Sequence, residues 1–431
     1  MFAPEPLAVR VGVLGCGTVG SALVELVQRE AGTIFERTGV RLDVTRVAVR
    51  HVARPRAVSL APGVVTADAG AVVTDPRVDV VVELMGGTEP ARTLVLDALK
   101  AGKPVVTANK QLLAVHGAEL FEAASAAGVD LLYEAAVAGA IPLIRPLRES
   151  LAGERISRVM GIVNGTTNYI LTRMSEGGAA YPDALAEAQA LGYAEADPTA
   201  DVEGFDASAK AAILATIAFG VQVVADDVHR EGITAVTPGD IAFAARLGYV
   251  VKLLAVAEAV GDQVAVRVHP AMVPVTHPLA AVRDAFNAVF IEGEAVGELM
   301  LYGRGAGGLP TASAVLGDLI DAAHNLQVGG RGRTATRSRA AVRPMAELSS
   351  QYYLNINVVD RPGVLAAVAT VFGDHGVSIR SMEQEGLGEE ARLVFITHKA
   401  TERDVQATLA DLRHLDAVER VGSLLRVVGQ E

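Results

Sequence analysis

Residues 9–30, VRVGVLGCGTVGSALVELVQRE, decide the first half of the fold. VRVGVL (9–14) is an apolar run of strand length, and the apolar residues from Ser21 to Glu30 recur with helical period. Between them stands Gly15-Cys16-Gly17-Thr18-Val19-Gly20, a G-x-G-x-x-G turn after a strand and before a helix. In that context glycines let backbone N–H groups approach a pyrophosphate at the helix N-terminus, where the helix dipole favours an anion. Gly15, Gly17 and Gly20 are therefore candidate cofactor contacts. A Gly-rich strand–helix turn without a ligand is the plain alternative.

Working outward, LDVTRVAV (42–49), VDVVVEL (78–84), PVVTA (104–108) and VDLLYE (129–134) read as further strands, with helix-like segments at 89–101 and 111–127. Strands alternating with helices predict a parallel, doubly wound sheet of Rossmann type. After the second strand the chain continues Arg50-His51-Val52-Ala53-Arg54-Pro55-Arg56. A NAD site usually places an acid there for the ribose hydroxyls, whereas arginine suits a 2′-phosphate. The pattern favours NADP with Arg50 as the contact; a solvated basic loop is the alternative. Lys110, in Thr107-Ala108-Asn109-Lys110, follows the fourth strand, at the carboxyl edge where open parallel sheets bind ligands; a surface lysine at a helix start is the alternative.

From about Glu149 the pattern changes to a second, α+β unit. A strand near 155–163, the turn Asn164-Gly165 and a helix that Thr166, Thr167 and Asn168 can cap come first. A helix at 183–191 and strands at 264–273 and 286–293 follow. The loop Gly303-Arg304-Gly305-Ala306-Gly307-Gly308 is too glycine-rich for a regular element and suits close approach of backbone to a ligand, a flexible turn being the alternative. The helix at 311–325 is expected to return to the first domain.

Residues 326–347, with arginines at 331, 333, 337, 339 and 343 among Gly, Ser and Thr, read as a linker. The last stretch, 348–431, has the order β-α-β-β-α-β: strands 352–359, 377–382, 392–398 and 417–428, helices 364–375 and 402–413. That is the ferredoxin-like arrangement. It holds no catalytic constellation, so regulation or assembly is expected of it. The domains are thus 1–148 with helix 311–325, 149–325, and 348–431.

Composition narrows the class. The 431 residues are 51% hydrophobic and carry a net charge of −12, which argues against a nucleic-acid protein. One cysteine permits no intrachain disulfide and fits a reducing compartment. MFAPEPLAVR lacks a signal-peptide core, and no apolar run reaches the roughly 18 residues of a membrane span, so a soluble cytoplasmic protein is expected.

The chemistry is concentrated in Glu195–Lys210, EADPTADVEGFDASAK. Glu195, Asp197, Asp201, Glu203 and Asp206 precede Lys210, the only charge between Ala207 and Gly220. A lone ammonium on an uncharged helix is costly to bury unless a carboxylate holds it, and Asp206 lies one turn away on the same face. A lysine so held can give a proton to a carbonyl oxygen while hydride reaches the carbon. The surplus of carboxylates suggests a substrate ammonium. A surface i,i+4 ion pair is the alternative. Oxidation of an aldehyde to the acyl level normally needs a thiol. Cys16 lies inside the glycine turn, so alcohol–aldehyde interconversion is left.

Six stretches together resemble homoserine dehydrogenase over essentially the whole chain: GCGTVG (15–20), TANK (107–110), YEAAVAGAIPLI (133–144), GIVNGTTNYIL (161–171), GYAEADPTADVEGFDASAK (192–210) and GRGAGGLPTASAV (303–315). VVDRPGVLAAVATVF resembles an ACT domain, a small-molecule sensing module. The resemblance implies reversible NAD(P)-dependent reduction of L-aspartate 4-semialdehyde to L-homoserine, on the route to threonine, isoleucine and methionine. It implies Lys210 as proton donor, with Asp206 and Lys110 completing the polar site. Glu195 would hold the substrate amino group, joined by Asp201 and Gly192 in substrate binding. Thr18, Val19 and Gly307 would touch the cofactor. Glu134, Val137, Gly139 and Ile141 would bind a monovalent cation, usually sodium. Cys16 stands where the family often has Leu or Phe. A homodimer or homotetramer formed through the second domain is implied, as is threonine feedback at Asn355 and Asp360 to Gly363. Another NADP-linked amino- or keto-acid reductase, or a non-catalytic amino-acid or redox sensor, are the rival readings.

Overall fold

Val11, Val13 and, on the opposite face, Leu14 are fully buried, as expected of a strand covered on both faces. They belong to β1 (Ala8–Leu14) of a computed structural model that describes residues 8–330, 338–386 and 390–429. With β2 (Arg41–Ala48), β3 (Val65–Thr66), β4 (Val80–Glu83), β5 (Val105–Thr107) and β6 (Leu131–Leu132), β1 forms a parallel sheet in the order β3-β2-β1-β4-β5-β6. The strand order reverses between β1 and β4. A doubly wound sheet opens a ligand crevice at that point, beyond the carboxyl ends of the strands.

The chain divides into two compact units. The first comprises Met1–Ile156, Ala212–Ala225 and Gly293–Ala340. Its core joins Val9, Val11, Val13 and Val80 to Leu23 and Val27 of the helix Thr18–Arg29. Ala312, Val315, Leu319 and Ala323, from the helix Gly308–Val328, complete it. The late helix thus packs on the early sheet, its small residues permitting close approach.

The second unit comprises Ser157–Ala211, Asp226–Glu292 and Ala341–Glu431. Its strands lie in the order Phe286–Gly293, Ile156–Ile162, Tyr249–Val260, Gln263–Pro274, Val418–Val427, Ser349–Val359, Glu390–Thr397 and Ile379–Gly386. The strand Tyr249–Val260 was not expected from sequence. Its side chains are buried at seven consecutive positions, Val251 to Ala257, so it lacks the alternation that marks a half-exposed strand.

The last four strands and the helices Val364–Asp374 and Glu402–Leu412 form the expected β-α-β-β-α-β arrangement. Its core centres on Tyr352, Leu354, Phe372, Phe395, Leu409 and Leu412. This sheet is continuous with the rest of the unit, because Ala271 and Met272 pair in parallel with Arg426 and Val427. Part of the expected linker, 331–337, lies outside the described residues. Further on, the chain is pinned: Gln222 N donates to Ser338 O, Ala340 N to Gln222 O, and Val264 N to Ala341 O. No described helix is long and apolar enough to cross a membrane.

Candidate active site

Lys210 sits in the second turn of the helix Phe205–Ala218 and is only 8% exposed. Its Nζ donates to Asp206 Oδ2 at 2.7 Å and to Val163 O at 2.6 Å. Asp206, itself 8% exposed, also accepts from Asn164 Nδ2 at 2.9 Å, and the same amide donates to Asp201 Oδ1 at 2.6 Å. The strand Ile156–Ile162 delivers Val163 and Asn164 to this point, where the chain turns into the helix Gly165–Gly177. Asn164 Oδ1 accepts from Thr167 N at 2.8 Å, so Asn164 is the N-cap. This corrects the capping assigned to Thr166, Thr167 and Asn168. Thr166 instead donates to Tyr193 O, and Asn168 to Asp284 O.

One asparagine therefore ties a helix start to two carboxylates and, through Asp206, to the ammonium. Asn164 as a bridge was missed in the sequence. The signal available was an Asn between an apolar strand and GTTN, the position of an N-cap. Glu195 and Gly192 lie nearby in sequence on the exposed loop after the helix Tyr181–Ala190. Gln189 Nε2 donates to Glu195 O at 3.0 Å and holds that loop, leaving the Glu195 carboxylate at the surface.

In the first unit, a Cβ added to Gly20 would lie 2.2 Å from Gly15 O, and one on Gly15 would lie 2.7 Å from Leu84 O. Those two glycines allow the turn to close on itself. Gly17 differs: a Cβ there meets nothing within 4 Å, and Gly17 and Thr18 are exposed at the start of a helix with no side-chain cap. Free N–H groups, an open approach and no acidic residue in the first turn fit a dinucleotide pyrophosphate. A Cβ on Gly308 would lie 3.1 Å from Thr18 Cγ2, so the loop ending at Gly307 sits against the same helix start. Arg50 is exposed two residues beyond the end of β2.

Thr107 and Asn109 explain the placement of Lys110. Thr107 Oγ1 donates to the fully buried Glu83 at 2.6 Å, and Glu83 also accepts from Met85 N at 2.7 Å. Asn109 caps the helix Lys110–Ala127 and donates to Gly87 O at 2.7 Å. Glu83 and Asn109 thus hold the carboxyl ends of β4 and β5 rigid, with Lys110 opening the helix beside them.

Glu134 is 4% exposed, and its carboxylate accepts from Leu143, Ile144 and Arg145 N–H groups. Asp318 accepts from Glu134 N at 2.7 Å; burial pushes the Asp318 carboxyl up to about 7. Ala138 and Gly139 both adopt positive φ, 56° and 54°, and Ala140 N donates to Arg304 O at 3.1 Å. Val137, Gly139 and Ile141 are buried in this irregular turn. The described residues contain no group of three or more His, Cys, Asp or Glu side chains placed for a metal. Any cation at this turn would rest on main-chain carbonyl oxygens, the donors a hard monovalent ion prefers.

Family models match along the chain: homoserine dehydrogenase, NAD binding domain, over residues 15–134; homoserine dehydrogenase over 142–320; and ACT domain over 352–417. The homoserine dehydrogenase of Mycobacterium tuberculosis is 52% identical over 433 residues, covering 98% of each chain. The chain belongs to the homoserine dehydrogenase family. It is an NAD(P)-dependent oxidoreductase of amino-acid biosynthesis with a Rossmann-like cofactor domain, a second sheet domain and an ACT domain. The crystal structure of the Thiobacillus denitrificans homoserine dehydrogenase is similar at a TM-score of 0.93 and 42% identity, covering 98% of each chain. A hyperthermophilic archaeal homoserine dehydrogenase in complex with NADPH matches at a TM-score of 0.65 and 30% identity, covering 74% of this chain and 98% of that one.

Within this homoserine dehydrogenase fold, the structure brings Lys210, Asp206 and Asp201 into one network. It groups Gly15, Gly17, Thr18, Val19, Gly20 and Gly307 around one helix start. Asn355, expected to face an effector, donates to Asp240 of the helix Pro238–Arg246, as does the Tyr353 hydroxyl at 3.0 Å. A β-strand sends alternate side chains to opposite faces, and the helix covers the face that carries Asn355.

Proposed function

We propose that the chain interconverts L-aspartate 4-semialdehyde and L-homoserine with NADP, Lys210 giving and taking the hydroxyl proton. The buried Lys210–Asp206 pair, braced by Asn164, is the observation that carries this reading. Asp206 keeps the ammonium charged and aimed, and the Val163 carbonyl fixes its second direction. The bound nicotinamide supplies the hydride to the carbonyl carbon. In the reducing direction Lys210 protonates the nascent alkoxide and then recovers a proton from solvent. Glu195, on its exposed loop with Gly192, pairs with the substrate ammonium; Asp201 adds negative potential, and Lys110 completes the polar site.

The glycine turn with Thr18, Val19 and Gly307 holds the pyrophosphate, and Arg50 favours a 2′-phosphate. A sodium ion on the carbonyls of Glu134, Val137, Gly139 and Ile141 would stiffen the turn that backs the loop Gly303–Gly307. The division of labour we infer is cofactor binding by 1–148 with helix 311–325, substrate binding and homo-oligomer contacts by 149–325, and regulation by 348–431.

A cavity of about 420 Å³ lies in the C-terminal sheet domain, lined by Val359, Asp360, Arg361, Gly363, Leu365 and Gln384. Its exposed turn offers backbone N–H groups and an aspartate, which suit an amino-acid effector such as threonine. Initial rates of homoserine oxidation with NADP and with NAD, for wild type and Lys210→Ala, test the assignment. Turnover is expected to fall about a hundredfold or more with NADP affinity preserved. A Lys210→Ala enzyme of near-normal turnover rejects it.

A further inference from the structure

Arg426, on the strand Val418–Val427, is 2% exposed and carries four charge-assisted hydrogen bonds. It reaches Glu231 through Nη1 and Nη2 at 2.7 and 2.6 Å, and Glu402 through Nε and Nη2 at 3.0 and 2.7 Å. Glu402 also accepts from the Tyr352 hydroxyl at 2.9 Å, and Glu231 meets His229 Nε2 at 2.8 Å. Burial alone would raise the Glu231 carboxyl, yet the His229 and Arg426 bonds hold it well below the usual carboxylate range.

Glu231 stands at the head of a clasp. Its N–H donates to Val268 O at 2.8 Å, which fixes it to the central sheet. The residues around it grip the turn between Asp201 and Asp206. Ile233 N donates to Val202 O at 2.8 Å, and Thr234 Oγ1 to Glu203 Oε1 at 3.0 Å. The Arg230 guanidinium lies 3.7 Å above the Phe205 ring. A Cβ on Gly232 would sit 2.3 Å from Val202 O, so the two segments touch backbone to backbone with no slack. A shift of Glu231 must therefore move residues 202–205, and with them the two carboxylates that Asn164 bridges.

We infer that Glu231, gripped by Arg426 from the C-terminal sheet, is a positioning residue for the Asp201–Asn164–Asp206–Lys210 network. The inference rests on the reading of Lys210 as proton donor. It also gives the effector cavity a mechanical route inward. The strand Ser349–Val359 carries Val358 and Val359 at the cavity and Tyr352 at the Glu402–Arg426 cluster, about 20 Å apart at roughly 3.3 Å per residue.

The test measures kcat and both KM values for full-length Glu231→Gln and Arg426→Lys, normalised to sites that bind NADPH. Glu231→Gln keeps the shape and removes the charge; Arg426→Lys keeps the charge and removes the fork. Each should lower kcat roughly three- to tenfold with KM for NADP unchanged, and the double variant should be no worse than the poorer single. Arg230→Gln, an exposed change that cannot empty the core, should lower kcat in the same sense if the buried variants fold poorly. Wild-type kcat per binding site in the folded variants, whatever their melting temperature, overturns the inference. Fully additive losses overturn it as well. Lys210→Met in the same assay separates the two ideas. If it retains turnover, the donor assignment fails; if it is inactive while Glu231→Gln is normal, only the positioning role fails.

Discussion

Replacing Lys210 by methionine removes the ammonium while nearly preserving side-chain volume. Two free energies change, and the structure sets the size of each. The lysine and aspartate side chains are 10% and 6% exposed, so the lost pair is a buried one. Stripping the partner from a buried charge typically costs 3–5 kcal/mol. Asn164 Nδ2 still serves Asp206, which places the stability loss at the low end, about 3 kcal/mol. Losing a general acid costs roughly a hundred- to ten-thousandfold in rate, or about 3–5 kcal/mol of barrier. The two magnitudes overlap, and a single variant cannot separate them. Asp206→Asn/Lys210→Met can, because it deletes the stranded charge as well. Urea unfolding followed through the tyrosines should show most of the lost stability returning in the double variant. Stopped-flow NADPH formation should show turnover still about a hundredfold or more below wild type. Turnover returning together with stability would refute the donor role and make the pair a purely structural one.

Gly20→Ala should prevent the turn from closing and destabilise the protein, whereas Gly17→Ala should fold normally yet lose NADPH affinity, by fluorescence titration. Equal melting temperatures for the two would contradict the placement of their Cβ atoms. Arg50→Ala should raise KM for NADP by roughly ten- to a hundredfold, the worth of a charge-assisted hydrogen bond, and leave KM for NAD unchanged. Lys252, buried against Asn168 Oδ1 and Val282 O, has its ammonium pushed down to about 8 by burial, from 10.5. The folded state then binds fewer protons than the unfolded one between about pH 8 and 10.5, so stability rises across that window, by up to about 3 kcal/mol. Lys252→Met should abolish the rise in a series of urea titrations; an unchanged slope would show that Lys252 stays protonated. Millimolar threonine should slow homoserine oxidation by wild type but not by Asp360→Ala, and an identical response from both would place the effector elsewhere.

Much of this protein could be read along the chain wherever the deciding physics is local. An apolar run, a glycine turn and a periodic helix belong to 22 neighbouring residues, 9–30, and they specify the first strand, turn and helix of the parallel sheet. Asp206 and Lys210 share a helix face because 3.6 residues make one turn, and their pairing needed no tertiary information. The ferredoxin-like order of the C-terminal region followed from alternating periods of two and 3.6. Local pattern misled where burial was complete, as in the strand Tyr249–Val260, where seven consecutive buried side chains, Lys252 among them, leave no alternation to mark the period. It was silent where a polar group finds its partner far along the chain. Asn164 bridges to Asp201 and Asp206 across 37 and 42 residues, and Arg426 meets Glu231 across 195. Asn355 turns toward Asp240 rather than the cavity at Asp360–Gly363 because of a helix 115 residues earlier. A buried charge takes whichever partner the packing brings within 3 Å, and sequence spacing holds no record of that choice.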